Sequence, residues 1–196
     1  MIYVPIPEWT AEGILPPVDA NNPTSPTRSP YEVSLVDLVQ RFGTSKERIR
    51  ILDGFLRYRQ GLHDAGLTNG FQWLDGSYME HVEALEKRPP NDIDVVSFIN
   101  FPDGTNQQEV LNNLNEIVGI LPDAQLKIKK NYHVDAYFVP INVIPPERLV
   151  ERSSYWYSMW SHRRDDSWKG FLQVSLLPDQ AAREHLERLK DQEGSQ

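Results

Sequence analysis

Two short stretches of this chain consist almost wholly of strand-forming residues, and each carries acid inside it: "DIDVVSFI" (residues 92–99) and "HVDAYFV" (residues 133–139). β-Branched and aromatic residues at this density call for a sheet. A carboxylate within an apolar strand is costly unless it has a partner. Successive side chains alternate along a strand, so Asp92 and Asp94 share one face while Ile93 packs inward. Like charges this close repel, and one pKa should rise unless a cation intervenes. Asp135 is the third acid. If its strand neighbours that of Asp94, three carboxylates converge on one site. Carboxylate oxygens suit hard Mg²⁺, with Mn²⁺ as a substitute, and three can hold two ions about 3.5–4 Å apart, the spacing of in-line phosphoryl displacement.

The surrounding pattern is mixed. Seven of the fifteen prolines fall in the first thirty residues, so residues 1–32 are expected as an extended arm, neither helix nor central strand. Ile2, Val4, Ile6, Trp9, Ile14 and Leu15 would pack it onto the body, or the arm would bind a partner protein. Residues 33–190 are expected as one domain and 191–196 as a flexible tail. Leu35, Leu38, Val39 and Phe42 have helical spacing. Thr44 and Glu47 offer a capping box for a helix ending near Gly66, with Arg48, Arg50, Arg57 and Arg59 as its solvated face.

"FQWLD" reads as a strand ending at Gly76, and "SYMEHVEALEKR" as a short helix stopped by Pro89 and Pro90. Thr105 and Gln108 form a second capping box before a helix ending near Gly119. "LKIKKNYHVDAYFV" alternates and reads as a strand throughout, and "KGFLQVSLL" as a further strand. A closing helix starts at the N-cap Asp179. The fold class is α/β (α+β): a mixed sheet flanked by helices.

Gly76 and Ser77 occupy a strand-to-helix corner. Glycine there lets backbone approach a ligand, N–H groups of the next turn face an anion, and the Ser77 hydroxyl adds a donor. Composition narrows the chemistry further. With no cysteine, disulfides, thiol nucleophiles and thiolate metal sites are excluded. A net charge of −8 weighs against broad binding to long nucleic acid, though not against a small anionic ligand. No run approaches the ~18 apolar residues of a membrane span, and the N-terminus lacks the basic and apolar regions of a secretory signal. No membrane partner and a cytoplasmic location are therefore expected.

The elements "LDGS", "NDIDVV" and "HVDAYF" together resemble the signature of the DNA polymerase β-like nucleotidyltransferase superfamily. The wider layout, from "GILPP" through "RFG" and "WLDGS" to "YWYSMW" and "KGFLQVSL", looks like an uncharacterised bacterial family within it. That resemblance implies a Mg²⁺-dependent enzyme that moves a nucleoside monophosphate from a nucleoside triphosphate to an acceptor hydroxyl: a nucleic-acid 3′ end, a nucleotide or a protein. Asp92, Asp94 and Asp135 would be catalytic and would hold two metal ions, while Gly76 and Ser77 would hold the β- and γ-phosphates. A setting in bacterial toxin–antitoxin or phage-defence loci would follow by analogy.

Two departures stand out. The spacer between Ser77 and Asp92 is slightly long, and Tyr78, Met79 and Glu80 stand where many small members carry Arg or Lys. The triphosphate would then be neutralised from elsewhere, by Lys169, Arg164 and Arg163 first, with Lys129 and Lys130 behind them. His133 is either a support beside Asp135 or a packed strand residue. The rival reading is a non-catalytic interaction protein or antitoxin on the same scaffold, binding through its arm and "YWYSMW". A structural reading of the acids also exists, with Asp92 and Asp94 facing solvent on an edge strand and Asp135 paired to a lysine such as Lys129.

Overall fold

The computed structural model describes residues 3–104, 114–119 and 121–194. In chain order the elements are β1 (Tyr31–Glu32), α1 (Leu35–Phe42), α2 (Lys46–Asp64), β2 (Gly70–Asp75), a 3-10 turn (Ser77–Met79), α3 (Val82–Glu86), β3 (Ile93–Ile99), α4 (Asn115–Val118), α5 (Pro122–Tyr132), β4 (Val134–Pro140), α6 (Pro146–Trp160), β5 (Leu172–Ser175) and α7 (Gln180–Glu193).

The five strands form one mixed sheet in the order β1-β5-β2-β3-β4. β2 runs antiparallel to both β3 and β5, whereas β3 and β4 are parallel, as are β1 and β5. Alternation along the strands gives the sheet two faces. Leu74, Ile93, Val95, Val134, Ala136, Leu172 and Val174 point into the main core, with Leu38, Leu52, Phe55, Ile128 and Leu186 from α1, α2, α5 and α7. Trp73, Val96, Phe98 and Val139 point the other way, against Trp156 and Trp160 of α6. Asp75, Asp94 and Asp135 have the parity of this second face, at the end where the α6 layer gives out.

Several elements differ from the sequence expectation, each for a local reason. Residues 126–132, expected as strand, are part of the helix Pro122–Tyr132. Pro122 sits at the first helical position, Asp123 in the first turn and Lys129 and Lys130 in the last, all matching the helix dipole. Ala124 and Ile128, four apart, are buried, while Leu126, the apolar residue that completed the apparent alternation, is 66 % exposed. His133 is no strand residue either: it ends α5 in the left-handed conformation, with φ 55°. The N-cap of α2 is Ser45, one residue past Thr44, its hydroxyl accepting from Arg48 N–H. Of the four arginines assigned to a solvated face, Arg48 and Arg59 are each 1 % exposed.

"SYMEHVEALEKR" breaks into the 3-10 turn and the short α3. "YWYSMW" is the end of α6, unforeseen as a helix. Its Trp156 and Trp160 are core, leaving Tyr155 and Met159 exposed. The second capping box, Thr105 and Gln108, lies outside the described residues, as does Ile2. α7 runs to Glu193, beyond the point where the tail was expected to begin.

The arm is packed. Val4, Ile6 and Trp9 lie on the core, Ile14 and Leu15 are buried, and residues 31–32 become the strand β1. Among the described residues no helix is long and apolar enough to cross a membrane.

Candidate active site

Register does most of the assembly. Asp75 stands opposite Asp94, and Asp94 opposite Asp135, so three adjacent strands present three carboxylates in one row. Directly opposed residues share a face. Asp92 lies just before β3, outside the strand, and joins the same cavity. That cavity, of about 720 Å³, is lined by Asp92, Asp94, Asp135, Gly76, Ser77, Lys169 and Arg164, every residue the sequence nominated first. Its size suits a small-molecule ligand. Lys129 and Arg163 also line it, and among the described residues Lys130 and His133 do not.

The charges within it are unevenly compensated. Lys129, reaching from α5, places Nζ 2.8 Å from Asp92 and 3.0 Å from Asp135. Partial burial would lower the Lys129 pKa, but hydrogen bonds to the two carboxylates outweigh it and raise it. Asp94 has no cationic group of the described residues within ion-pair distance. Burial first, then the charges of Asp75, Asp92 and Asp135, push its pKa up to about 7.

Lys169 is not a solvent-facing cation awaiting an anion. It is 5 % exposed and donates to Asp75 at 2.7 Å and Glu80 at 3.3 Å. Burial would depress its pKa, but Asp75 and Glu80 reverse this and raise it. Burial raises Asp75 to about 6 against the opposing pull of Lys169. Arg163 reaches the other Glu80 oxygen at 3.3 Å. Arg164, exposed on the cavity wall, has no acidic side chain of the described residues within ion-pair distance.

Asp75 and Glu80 were missed from sequence. Asp75 closes the apolar run "FQWLD" directly before Gly76, the same signal of acid in a strand that marked Asp94 and Asp135. Glu80 gave none, because its burial depends on the path of residues 77–83. That path is fixed from two sides. Arg48 of α2 donates to the carbonyls of Tyr78 and Glu80 at 2.8 and 2.7 Å and grips Glu83 with two hydrogen bonds. Trp9 of the arm donates to the Met79 carbonyl at 2.8 Å and stacks on His81.

Gly76 has φ 88°, and a Cβ there would lie 2.6 Å from Asp94 Oδ2. Gly66 also has a positive φ, 79°, but has open space around it. Gly66→Ala should therefore cost about 1 kcal/mol, the price of the conformation alone. Gly76→Ala should cost about 1–2 kcal/mol more, because its backbone, at φ 88° and ψ −175°, lies where essentially only glycine is found and because Asp94 must give way. Urea unfolding of both variants checks this, and equal losses would show that Asp94 does not need the glycine.

The donors suit a hard divalent cation in kind, being carboxylate oxygens, and the Lys129 ammonium already stands between two of them. They do not form a closed cage: among the described residues no group of three or more acidic or histidine side chains is placed to enclose a metal ion. The fit is thus one of donor chemistry and charge.

A sequence model for a family of unknown function, DUF6932, matches residues 7–175. The chain belongs to DUF6932. The match runs from the packed arm to the last residue of β5, so the DUF6932 region contains the whole sheet and every residue of the acid row. No curated protein and no solved structure matches the chain significantly.

Proposed function

We propose that this DUF6932 protein is a metal-dependent nucleotidyltransferase. The observation that carries the reading is the row Asp75–Asp94–Asp135, with Asp92 beside it, lining one cavity together with Gly76 and Ser77. The superfamily resemblance of "LDGS", "NDIDVV" and "HVDAYF" points the same way. In the reaction an acceptor hydroxyl gives its proton to Asp135 or to water, its oxygen bonds to the α-phosphorus of a nucleoside triphosphate, and the bond from that phosphorus to the oxygen bridging to the β-phosphate breaks, releasing pyrophosphate.

Asp92, Asp94 and Asp135 would hold Mg²⁺, or Mn²⁺ in its place. Bound there, the metal supplies Lewis acidity at the α-phosphate and lowers the pKa of the attacking hydroxyl. Gly76 and Ser77 bind the β- and γ-phosphates through backbone and hydroxyl donors. Arg164 is the cation best placed to neutralise them, with Arg163 behind it. Lys169 acts by holding Asp75 and Glu80, and so the corner that carries Ser77. Most of the rate gain would come from positioning and fixed charge. The acceptor class stays open among nucleic-acid 3′ ends, nucleotides and proteins.

The non-catalytic alternative placed its binding surface on the arm and "YWYSMW". Val4, Ile6, Trp9, Ile14 and Leu15 of the arm are packed and both tryptophans are buried, which favours the catalytic reading, although Tyr3, Tyr155 and Met159 are exposed.

Asp135 separates binding from chemistry. It comes from its own strand, whereas Asp92 and Asp94 share one segment. Asp135→Asn is expected to keep metal-dependent nucleotide affinity within about tenfold while transfer falls by about a thousandfold, the mark of an interaction made chiefly in the transition state. Calorimetry beside product formation from labelled nucleotide measures both. Full turnover in the variant would remove the assignment, as would a loss of nucleotide binding as complete as in the Asp92 and Asp94 variants.

A further inference from the structure

We propose that Lys129 is a tethered competitor for the divalent cation, holding Asp92 and Asp135 until nucleotide arrives and thereby coupling metal binding to nucleotide binding. The inference rests on the nucleotidyl-transfer reading and adds a control that the reading alone does not contain.

Three observations lead to it. The first is contact: one ammonium bridges two of the three acids assigned to the metal, at 2.8 and 3.0 Å. A divalent cation that takes both carboxylates competes with this ammonium for the same two negative charges.

The second is the contrast between the base of this side chain and its tip. α5 is anchored by buried Ala124 and Ile128, and its end lies so close to α2 that a Cβ on Gly54 would sit 1.9 Å from the Tyr132 carbonyl. The Lys129 side chain is nonetheless 44 % exposed, on a flexible four-carbon stem. The helix stays while the ammonium moves.

The third is the local charge. Among the described residues, Asp94 is left without an ion-pair partner beside this bridged pair. A displaced ammonium is free to pair with an anion that enters with the metal. A nucleoside triphosphate supplies that anion in the same cavity, so metal and nucleotide should assist each other, and by linkage the assistance is reciprocal.

The test measures Mn²⁺ binding by paramagnetic resonance or calorimetry, with and without a non-hydrolysable nucleoside triphosphate. Wild type is compared with Lys129→Met and, as a second neutral variant, Lys129→Gln. The side chain is at the surface, and thermal unfolding confirms that each variant is folded. In wild type, Mn²⁺ alone should bind weakly, and the triphosphate should strengthen it by a factor within roughly the 5–150-fold usual for coupled sites.

In either variant Mn²⁺ alone should bind about tenfold tighter, and the gain from the triphosphate should shrink. Mn²⁺ affinity that is unchanged or weaker in both variants, in a wild type that does bind Mn²⁺ with nucleotide, overturns the competitor and leaves the nucleotidyl-transfer reading intact. Absence of Mn²⁺ binding in all three proteins, with or without triphosphate, overturns both.

Discussion

Asp94→Asn is expected to abolish nucleotide transfer and, in metal-free buffer at alkaline pH, to make the protein more stable. The two effects share one cause: a carboxylate placed for a cation and not for folding. Transfer should fall by about a thousandfold or more, corresponding to the several kcal/mol that metal-held charge stabilisation contributes.

The stability effect follows from linkage. The Asp94 pKa stands at about 7 in the folded state against an ordinary 3.8, so between those values the folded protein holds a proton that the unfolded chain has lost. The stability that Asp94 contributes is therefore greatest in acid and is lost as pH climbs from about 4 to about 7. Urea unfolding in EDTA at pH 5 and pH 8 should show wild type losing on the order of 1–3 kcal/mol more than the asparagine variant over that interval. The same loss in both proteins would mean that Asp94 is not held against its own ionisation.

Lys169→Met should be the most destabilising single change at the cavity. The lysine is paired to buried Asp75 and Glu80, and its flanking backbone is tied to Ser161 O and Leu15 O. Removing one partner of a buried ion pair leaves an uncompensated charge and costs about 3–5 kcal/mol. Arg163 still reaches Glu80, so the unrelieved charge falls mainly on Asp75. Adding Asp75→Asn to Lys169→Met should then recover a large part of the loss. Denaturant unfolding of the single and double variants measures it. A single variant within about 1 kcal/mol of wild type would show that this pair does not seat the corner carrying Ser77.

The legible part of this site was the part written in strand periodicity. Asp94 and Asp135 sit in strongly β-forming runs, and an acid in such a run announces either a partner or a function. The register that sets Asp75 opposite Asp94 depends on how β2 and β3 pair, which no local pattern states. Lys129 was read as part of a strand because Leu126, Lys127, Ile128 and Lys129 alternate; the proline that starts α5 and the lysines that complement its end were the competing signal. Lys169 looked like a phosphate ligand because burial cannot be seen in a charged loop. Arg48 and Arg59 looked solvated for the same reason: their partners, the Tyr78 and Glu80 carbonyls and Gln72, are brought to them by tertiary structure. The mixed sheet was legible, since hydrophobic spacing switches between helical and strand periods along the chain. The helix α6 was not, because its two buried tryptophans lie within a run that is aromatic on every side.

The central claim is that this cavity takes a nucleoside triphosphate with a divalent metal on Asp92, Asp94 and Asp135. Calorimetric titration of each of the four non-hydrolysable nucleoside triphosphates, in Mg²⁺ and again in EDTA, tests it most directly, with the Asp92→Asn/Asp94→Asn protein as control. The account requires saturable binding of at least one triphosphate in Mg²⁺, lost in EDTA and lost in the double variant. Binding that is indifferent to metal or to the two aspartates, or no binding of any of the four, would contradict it.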